Sequence, residues 1–282
     1  MEILCFVEAL LLILAALVQD HSSTAADGQS FPLDMALSSV DDQYEGCSAE
    51  MATLVKTEFL EKERSASANF NKAWQEAEEN SVKPEDNLTR NHSIAIHIYT
   101  NKDAKVYSSL NSATRTGKHA YTDGTFAWHS LHFLLTDAIQ ILKKTQDSCY
   151  LAYRGTSDKF ELKSEEVRLG SFASSSLDRA VIQEFGNTSC FEIYTCEGAD
   201  LTKYSKYPEE KEVLIPPYER FRVVAVRNQT HEEDLWCETV FVLNSSSSMS
   251  DLNCALFNSG HHTAFCKLLL IVLILFYVVF TC

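Results

Sequence analysis

Within residues 45–63, Met51, Leu54, Val55 and Phe59 recur at three- and four-residue intervals, the stripe of an amphipathic helix. Residues 66–79 predict a second helix, with Phe70 and Trp74 one turn apart. Residues 94–99 alternate more like a strand. A clearer helix follows at 131–142, where Leu131, Leu134, Leu135, Ala138, Ile139 and Leu142 share one face; that stripe reads as core rather than as a cofactor box. After Cys149 the period changes to short β-rich runs at 149–153, 190–194, 213–215, 221–226 and 240–243, with turns and one short helix at 177–185 between them. Helices first and strands later predict an α+β domain, its helices packed on one side of a mainly antiparallel sheet system.

Two further apolar blocks lie at the ends. Residues 3–18 are nearly unbroken apolar residues followed by small and polar ones, which predicts a signal peptide over 1–26 despite an n-region without Lys or Arg. Residues 268–280 are apolar but shorter than the ~20 residues that span a bilayer. Preceded by Asn258-Ser259-Gly260 and a polar spacer, they fit a glycolipid (GPI) attachment signal over 259–282, with a short tail anchor as the other reading. Neither repeat nor low-complexity linker divides the body, so one domain over 27–258 is the simplest organisation.

Charge and cysteines agree with export. The 282-residue chain carries a net charge of -15, which argues against a nucleic-acid surface and suits a cationic partner. Sequons at Asn87, Asn91, Asn187, Asn228 and Asn244 fit a glycosylated exterior. Between the terminal segments stand Cys47, Cys149, Cys190, Cys196, Cys237 and Cys254, an even set that predicts disulfides in an oxidising compartment. A zinc site would need a C-x-x-C or H-x-x-x-H spacing, and neither occurs. His231-Glu232-Glu233 reads as a polar turn, and no G-x-G-x-x-G after a strand, P-loop or G-x-S-x-G elbow is present.

Three stretches of the strand-rich half carry candidate chemistry. Arg154, in Tyr153-Arg154-Gly155 at a strand end, offers a permanently charged fork suited to a diphosphate, or is a solvated strand end. The hydroxyls around Ser174, Ser175 and Ser176 can hold a carboxylate or a ribose, or cap a helix through Ser176. Glu210-Lys211-Glu212 runs into Val213-Leu214-Ile215-Pro216-Pro217; if it is extended, both carboxylates point to one side, where a cation between them would relieve their repulsion. A solvated acidic loop is the alternative.

In this order and spacing the three stretches resemble the R-S-E triad of the arginine-specific ecto-mono-ADP-ribosyltransferases of vertebrate cell surfaces, with E-K-E in place of that family's E-x-E. The resemblance also takes in D-D-Q-Y-x-G-C at 41–47, the helix around 132–142 and Y-S-x-Y-P at 204–208. It implies the ADP-ribosyltransferase fold, a two-sheet NAD-binding core with helices packed against it. It further implies NAD as a substrate, arginine-bearing target proteins as acceptors, a lipid anchor as the membrane link, and no catalytic metal. By resemblance Arg154 would hold the NAD phosphate and ribose region, and Ser174 would position Glu212. Glu212 would stabilise the charge that develops as nicotinamide leaves, and Glu210 would engage the guanidinium. Tyr99, Gly155, Ser171 and Ser205 are implied NAD contacts, Ser171 standing where the family has Gln. Cys47 would pair with Cys254 and Cys149 with Cys196; whether Cys190 and Cys237 pair is open. The competing expectations are an NAD glycohydrolase on the same fold, and a GPI-anchored binding glycoprotein without turnover.

Overall fold

The Thr89 hydroxyl accepts from the backbone N–H of His92, and the His92 ring returns a bond to the Thr89 N–H. This capping box starts a helix just where the pattern of residues 94–99 predicts a strand. The helix runs Arg90–Thr100 and is buried from His92 to Thr100, so its apolar residues surround the axis and leave no one-sided stripe to read. A computed structural model of the chain describes residues 30–257. The expected signal peptide over 1–26 and the expected attachment tail over 259–282 lie outside the described residues.

The helical layer holds α1 (Ser48–Leu54), which passes through a π-helical turn (Val55–Phe59) into α2 (Leu60–Ala66), then α3 (Ala68–Asn80) and α4 (Arg90–Thr100). After these come α5 (Val106–Thr116), α6 (Lys118–Asp123) and α7 (His129–Lys143). Ser67 caps α3 by accepting from Phe70 N at 3.2 Å, and Phe70, Ala73, Trp74 and Ala77 form its buried face. The N-terminus of α7 is capped from outside: the buried Glu63 carboxylate accepts from Ser130 N at 3.1 Å. Burial pushes Glu63 up to about 7 against the pull of those backbone bonds.

Strands β1 (Ser30–Leu33) and β3 (Lys159–Leu162) pair in parallel apart from the main sheet. The remaining strands are β2 (Tyr150–Thr156), β4 (Glu166–Val167), β5 (Ala173–Ser176), β6 (Ser189–Thr195), β7 (Ala199–Asp200), β8 (Glu212–Ile215), β9 (Glu219–Asn228) and β10 (Thr239–Ser248). They lie in the order β4-β9-β10-β6-β2-β5-β8-β7 and are antiparallel except for β6 with β10. Between β2 and β5 the sheet is joined by one residue pair, Tyr153 with Ser176. It is therefore nearly two sheets, with an opening between them.

β8 is buried at every position and separates two cores. Leu214 faces the helices, while Val213 and Ile215 face the opposite core with Phe191, Phe221 and Phe241. Two expectations from the sequence fail locally. The serine cluster forms strand β5 rather than a helix cap, and the expected helix over 177–185 is a single 3-10 turn, Val181–Phe185. Residues 231–233 do form a polar turn between β9 and β10.

Disulfides Cys47–Cys254, Cys149–Cys196 and Cys190–Cys237 use every cysteine of the described residues. The D-D pair of the 41–47 motif explains itself here. Asp41 binds the fully buried Arg168 at 2.5 Å and accepts from the backbone of Asp251 and Leu252. Asp42 accepts from Tyr44 N, Cys254 N and the Tyr121 hydroxyl. Together they join the chain's early loop to its last described turn.

Candidate active site

The opening between β2 and β5 leads into a cleft of about 420 Å³, within the usual range for small-molecule sites. Arg154 and Gly155 of β2, Ser174 and Ser176 of β5, and Glu212 of β8 line it on the sheet side. In the β5–β8 register Ser176 stands opposite Glu212 and Ser174 opposite Leu214, so Ser174, Ser176 and Glu212 share the face turned to the helices. Tyr99 of α4 closes the cleft from that layer; its hydroxyl donates to Phe172 O at 3.2 Å and accepts from Asn111 Nδ2 at 3.0 Å.

Glu212 is 5% exposed, and burial pushes its carboxyl up to about 7. The Ser174 hydroxyl bond pulls it down, Glu210 repels it, and Arg154 and Lys102 offset part of that repulsion. Its Oε1 is buried and has no hydrogen-bond partner among the described residues. Burial lowers the Arg154 guanidinium, which donates to Ser174 O at 2.6 Å and thereby fixes β5 against β2. A half-buried fork beside a buried carboxylate is an arrangement for a ligand with separated negative and positive parts, as in a dinucleotide with a cationic ring.

Glu210 reaches the same cleft by a route the alternation argument missed. Pro208–Glu210 is a 3-10 turn, and Lys211 has φ 48, a left-handed conformation, before β8 begins at Glu212. The turn is tied to β5 by Ser176 Oγ donating to Glu210 O at 2.7 Å and by Leu177 N donating to Lys211 O at 3.1 Å. A reversal, not an extended strand, places both carboxylates on one cavity. Lys102, just beyond α4, forms an ion pair with Glu210. Burial opposes its charge most, but Glu210, Tyr207 and Glu184 together raise the Lys102 ammonium.

The family model for NAD:arginine ADP-ribosyltransferases (ART) matches residues 33–242. This chain belongs to that family. It is an ADP-ribosyltransferase with NAD as its substrate. Rattus norvegicus ecto-ADP-ribosyltransferase 5 is 35% identical over 240 residues, covering 79% of this chain and 76% of the relative. Mus musculus GPI-linked NAD(P)(+)-arginine ADP-ribosyltransferase 1 is 37% identical over 233 residues, covering 76% and 71%. The crystal structure of the eukaryotic mono-ADP-ribosyltransferase ART2.2 aligns with a TM-score of 0.67 at 31% identity, over 79% of this chain and 98% of that one. A variant of ART2.2 solved in complex with NAD aligns at 0.66 and 30%, over 79% and 98%.

Within this ADP-ribosyltransferase, Tyr99, Arg154, Gly155, Ser174, Glu210 and Glu212 converge on the cleft. Ser171 and Ser205 are not among its lining residues. The Ser171 hydroxyl lies 3.4 Å from Phe172 O, and the Ser205 hydroxyl accepts from Tyr207 N at 3.1 Å, beneath the turn that carries Glu210. The disulfides Cys47–Cys254 and Cys149–Cys196 form as the family resemblance implies. Sequence reasoning missed the face of α5, where Tyr107, Asn111 and Arg115 line the cleft at four-residue spacing. That spacing was a readable signal, though its polar residues look like any solvated helix face. For Lys102 and Phe185, also in the lining, no local signal existed.

Proposed function

We propose that this enzyme transfers ADP-ribose from NAD to arginine side chains of extracellular or cell-surface proteins, releasing nicotinamide. The observation that carries the reading is the second carboxylate: Glu210 lines the same cleft as Glu212 and Arg154. Loss of nicotinamide leaves positive charge on the ribose C1′, and a fixed carboxylate at the place of Glu212 stabilises such charge. Arg154 binds the diphosphate and ribose region, and Ser174 holds Glu212 in position. The acceptor guanidinium has a pKa above about 12 and must be oriented and relieved of a proton during attack. Glu210 supplies that function, which hydrolysis by water would not require.

We assign the catalytic body to residues 27–258, exported behind the 1–26 segment and anchored through a glycolipid in place of 259–282. Support comes from the names of the relatives, ecto-enzymes and a GPI-linked enzyme, and from the three disulfides. Asn87, Asn187 and Asn244 are exposed and open to glycosylation.

The test incubates the full-length chain with labelled NAD, with and without agmatine, and follows nicotinamide release and acceptor labelling. Wild type labels agmatine, Glu212→Gln loses both readouts, and Glu210→Gln loses labelling while nicotinamide release persists. Nicotinamide release from wild type without acceptor labelling makes the protein an NAD glycohydrolase. No release at all makes it a binding glycoprotein.

A further inference from the structure

Lys102 does more than neutralise Glu210. Its ammonium sits 4.9 Å from the ring centroid of Phe185 and 5.1 Å from that of Tyr207, within cation–π range of both. Two aromatic faces and a carboxylate thus converge on one cation from two separate stretches of chain, the 3-10 turn Val181–Phe185 and the turn before β8 that carries Tyr207 and Glu210, while the cation itself comes from the segment after α4. Phe185 is 44% exposed, a large apolar ring at the cleft mouth that contributes little to either core.

Such a set is matched to a guanidinium better than to an ammonium. Guanidinium is planar, weakly hydrated and stacks on aromatic faces, whereas an ammonium is a compact, strongly hydrated point charge. The Lys102 side chain is 43% exposed, so it can leave toward solvent without disturbing either core. We propose that Phe185, Tyr207 and Glu210 form the acceptor-cation cage of this enzyme, and that Lys102 is its resident occupant, a built-in competitor that the acceptor guanidinium must displace. The proposal rests on the transferase reading above and adds to it the aromatic walls and the internal plug. Lys102 thereby sets a threshold on acceptor affinity: a free small guanidine competes with it unaided, whereas a target protein brings further contacts that help displace it.

In the cage the reaction balances in the ordinary way. A guanidinium nitrogen forms the bond to C1′, the bond from C1′ to nicotinamide breaks with its electron pair leaving on nicotinamide, and the surplus proton passes to Glu210.

Two variants of the full-length chain test this. Lys102→Ala empties the cage and is expected to tighten agmatine binding, titrated by NMR without NAD, by about fivefold to tenfold, the scale of one partly exposed ion pair with cation–π support. The agmatine KM should fall with it, and adding Phe185→Ala or Tyr207→Ala to Lys102→Ala should weaken binding again. Lys102→Arg places a guanidinium in the cage, so incubation with NAD should put ADP-ribose on position 102, located by mass spectrometry. Unchanged or weaker agmatine binding in Lys102→Ala overturns the proposal. So does a Lys102→Arg chain unlabelled at position 102 that still labels agmatine added in trans. A wild type that releases no nicotinamide defeats the transferase reading alone, because the NMR titration needs no turnover.

Discussion

Replacing Glu212 by Gln should abolish turnover and make the protein more stable. The carboxyl is buried and its pKa is raised from 4.5 to about 7, so the folded state holds the proton more tightly than the unfolded chain does. For such a group the stabilising contribution is complete below the unfolded value of 4.5 and is lost as pH rises through about 7. At about 1.4 kcal/mol per pH unit, the ionised carboxylate costs the fold about 3 kcal/mol above pH 8. Gln is neutral throughout, nearly isosteric, and keeps an oxygen for the Ser174 hydroxyl. The gap between variant and wild type should be near zero at pH 4.5 and open through pH 7. At about 2 to 4 °C per kcal/mol for a domain of this size, the variant should melt about 6 to 12 °C higher at pH 8. Thermal unfolding of both proteins across that pH range measures it. A variant no more stable than wild type at pH 8, or a gap that does not vary with pH, would refute the argument that this carboxylate is held ionised against the fold's preference.

The same displacement sets the activity profile: with Glu212 working ionised, kcat/KM for NAD should fall about tenfold per pH unit below about 7, and a flat profile down to pH 5 would remove Glu212 from the rate equation. Arg168→Met leaves the buried Asp41 charge unpaired and three backbone carbonyls without their donor, and should lower stability by about 3 to 5 kcal/mol in denaturant titrations. Gly155→Ala would set a Cβ 2.5 Å from the Gly186 carbonyl oxygen, so β2 must shift at the cleft. Overpacking of that kind costs about 1 to 3 kcal/mol, and NAD turnover should drop at least about tenfold with it, read by nicotinamide release.

The sequence exposes the longer strands β2, β6, β8, β9 and β10 as short apolar β-rich runs, and α7 by its one-sided stripe, but not the short strands β3, β4, β5 and β7. It misreads residues 94–99 because α4 is enclosed on every side. What decides that segment is the Thr89–His92 capping box, which sits outside the apolar run. It also misses α5, whose cleft-facing residues Tyr107, Ser108, Asn111 and Arg115 are polar for the sake of the cavity rather than of solvent. A binding face and a solvated face have the same composition, and only the opposing wall tells them apart.

The site itself divides along the same line. Arg154, Ser174, Glu210 and Glu212 are legible through the family resemblance of their three stretches, but the extended conformation that would pair Glu210 with Glu212 does not form. The two carboxylates meet because Lys211 adopts a left-handed conformation and reverses the chain, not because a strand alternates. A strand would have put Lys211 on the opposite face and kept both carboxylates in one rigid line. The reversal instead leaves Glu212 anchored in β8 and puts Glu210 on a turn tethered through Ser176. The two groups thus differ in burial: Glu212 is 5% exposed, and the Glu210 side chain is 18% exposed, so under the proposed transfer Glu212 would serve the bound ribose and Glu210 the arriving acceptor. That asymmetry is what a two-substrate reaction needs, since the donor site must be fixed before reaction and the acceptor site must exchange its occupant at each turnover. The partners follow the same division: Glu212 is set by Ser174 and Arg154 within the sheet, Glu210 by Lys102 from a separate and partly exposed segment.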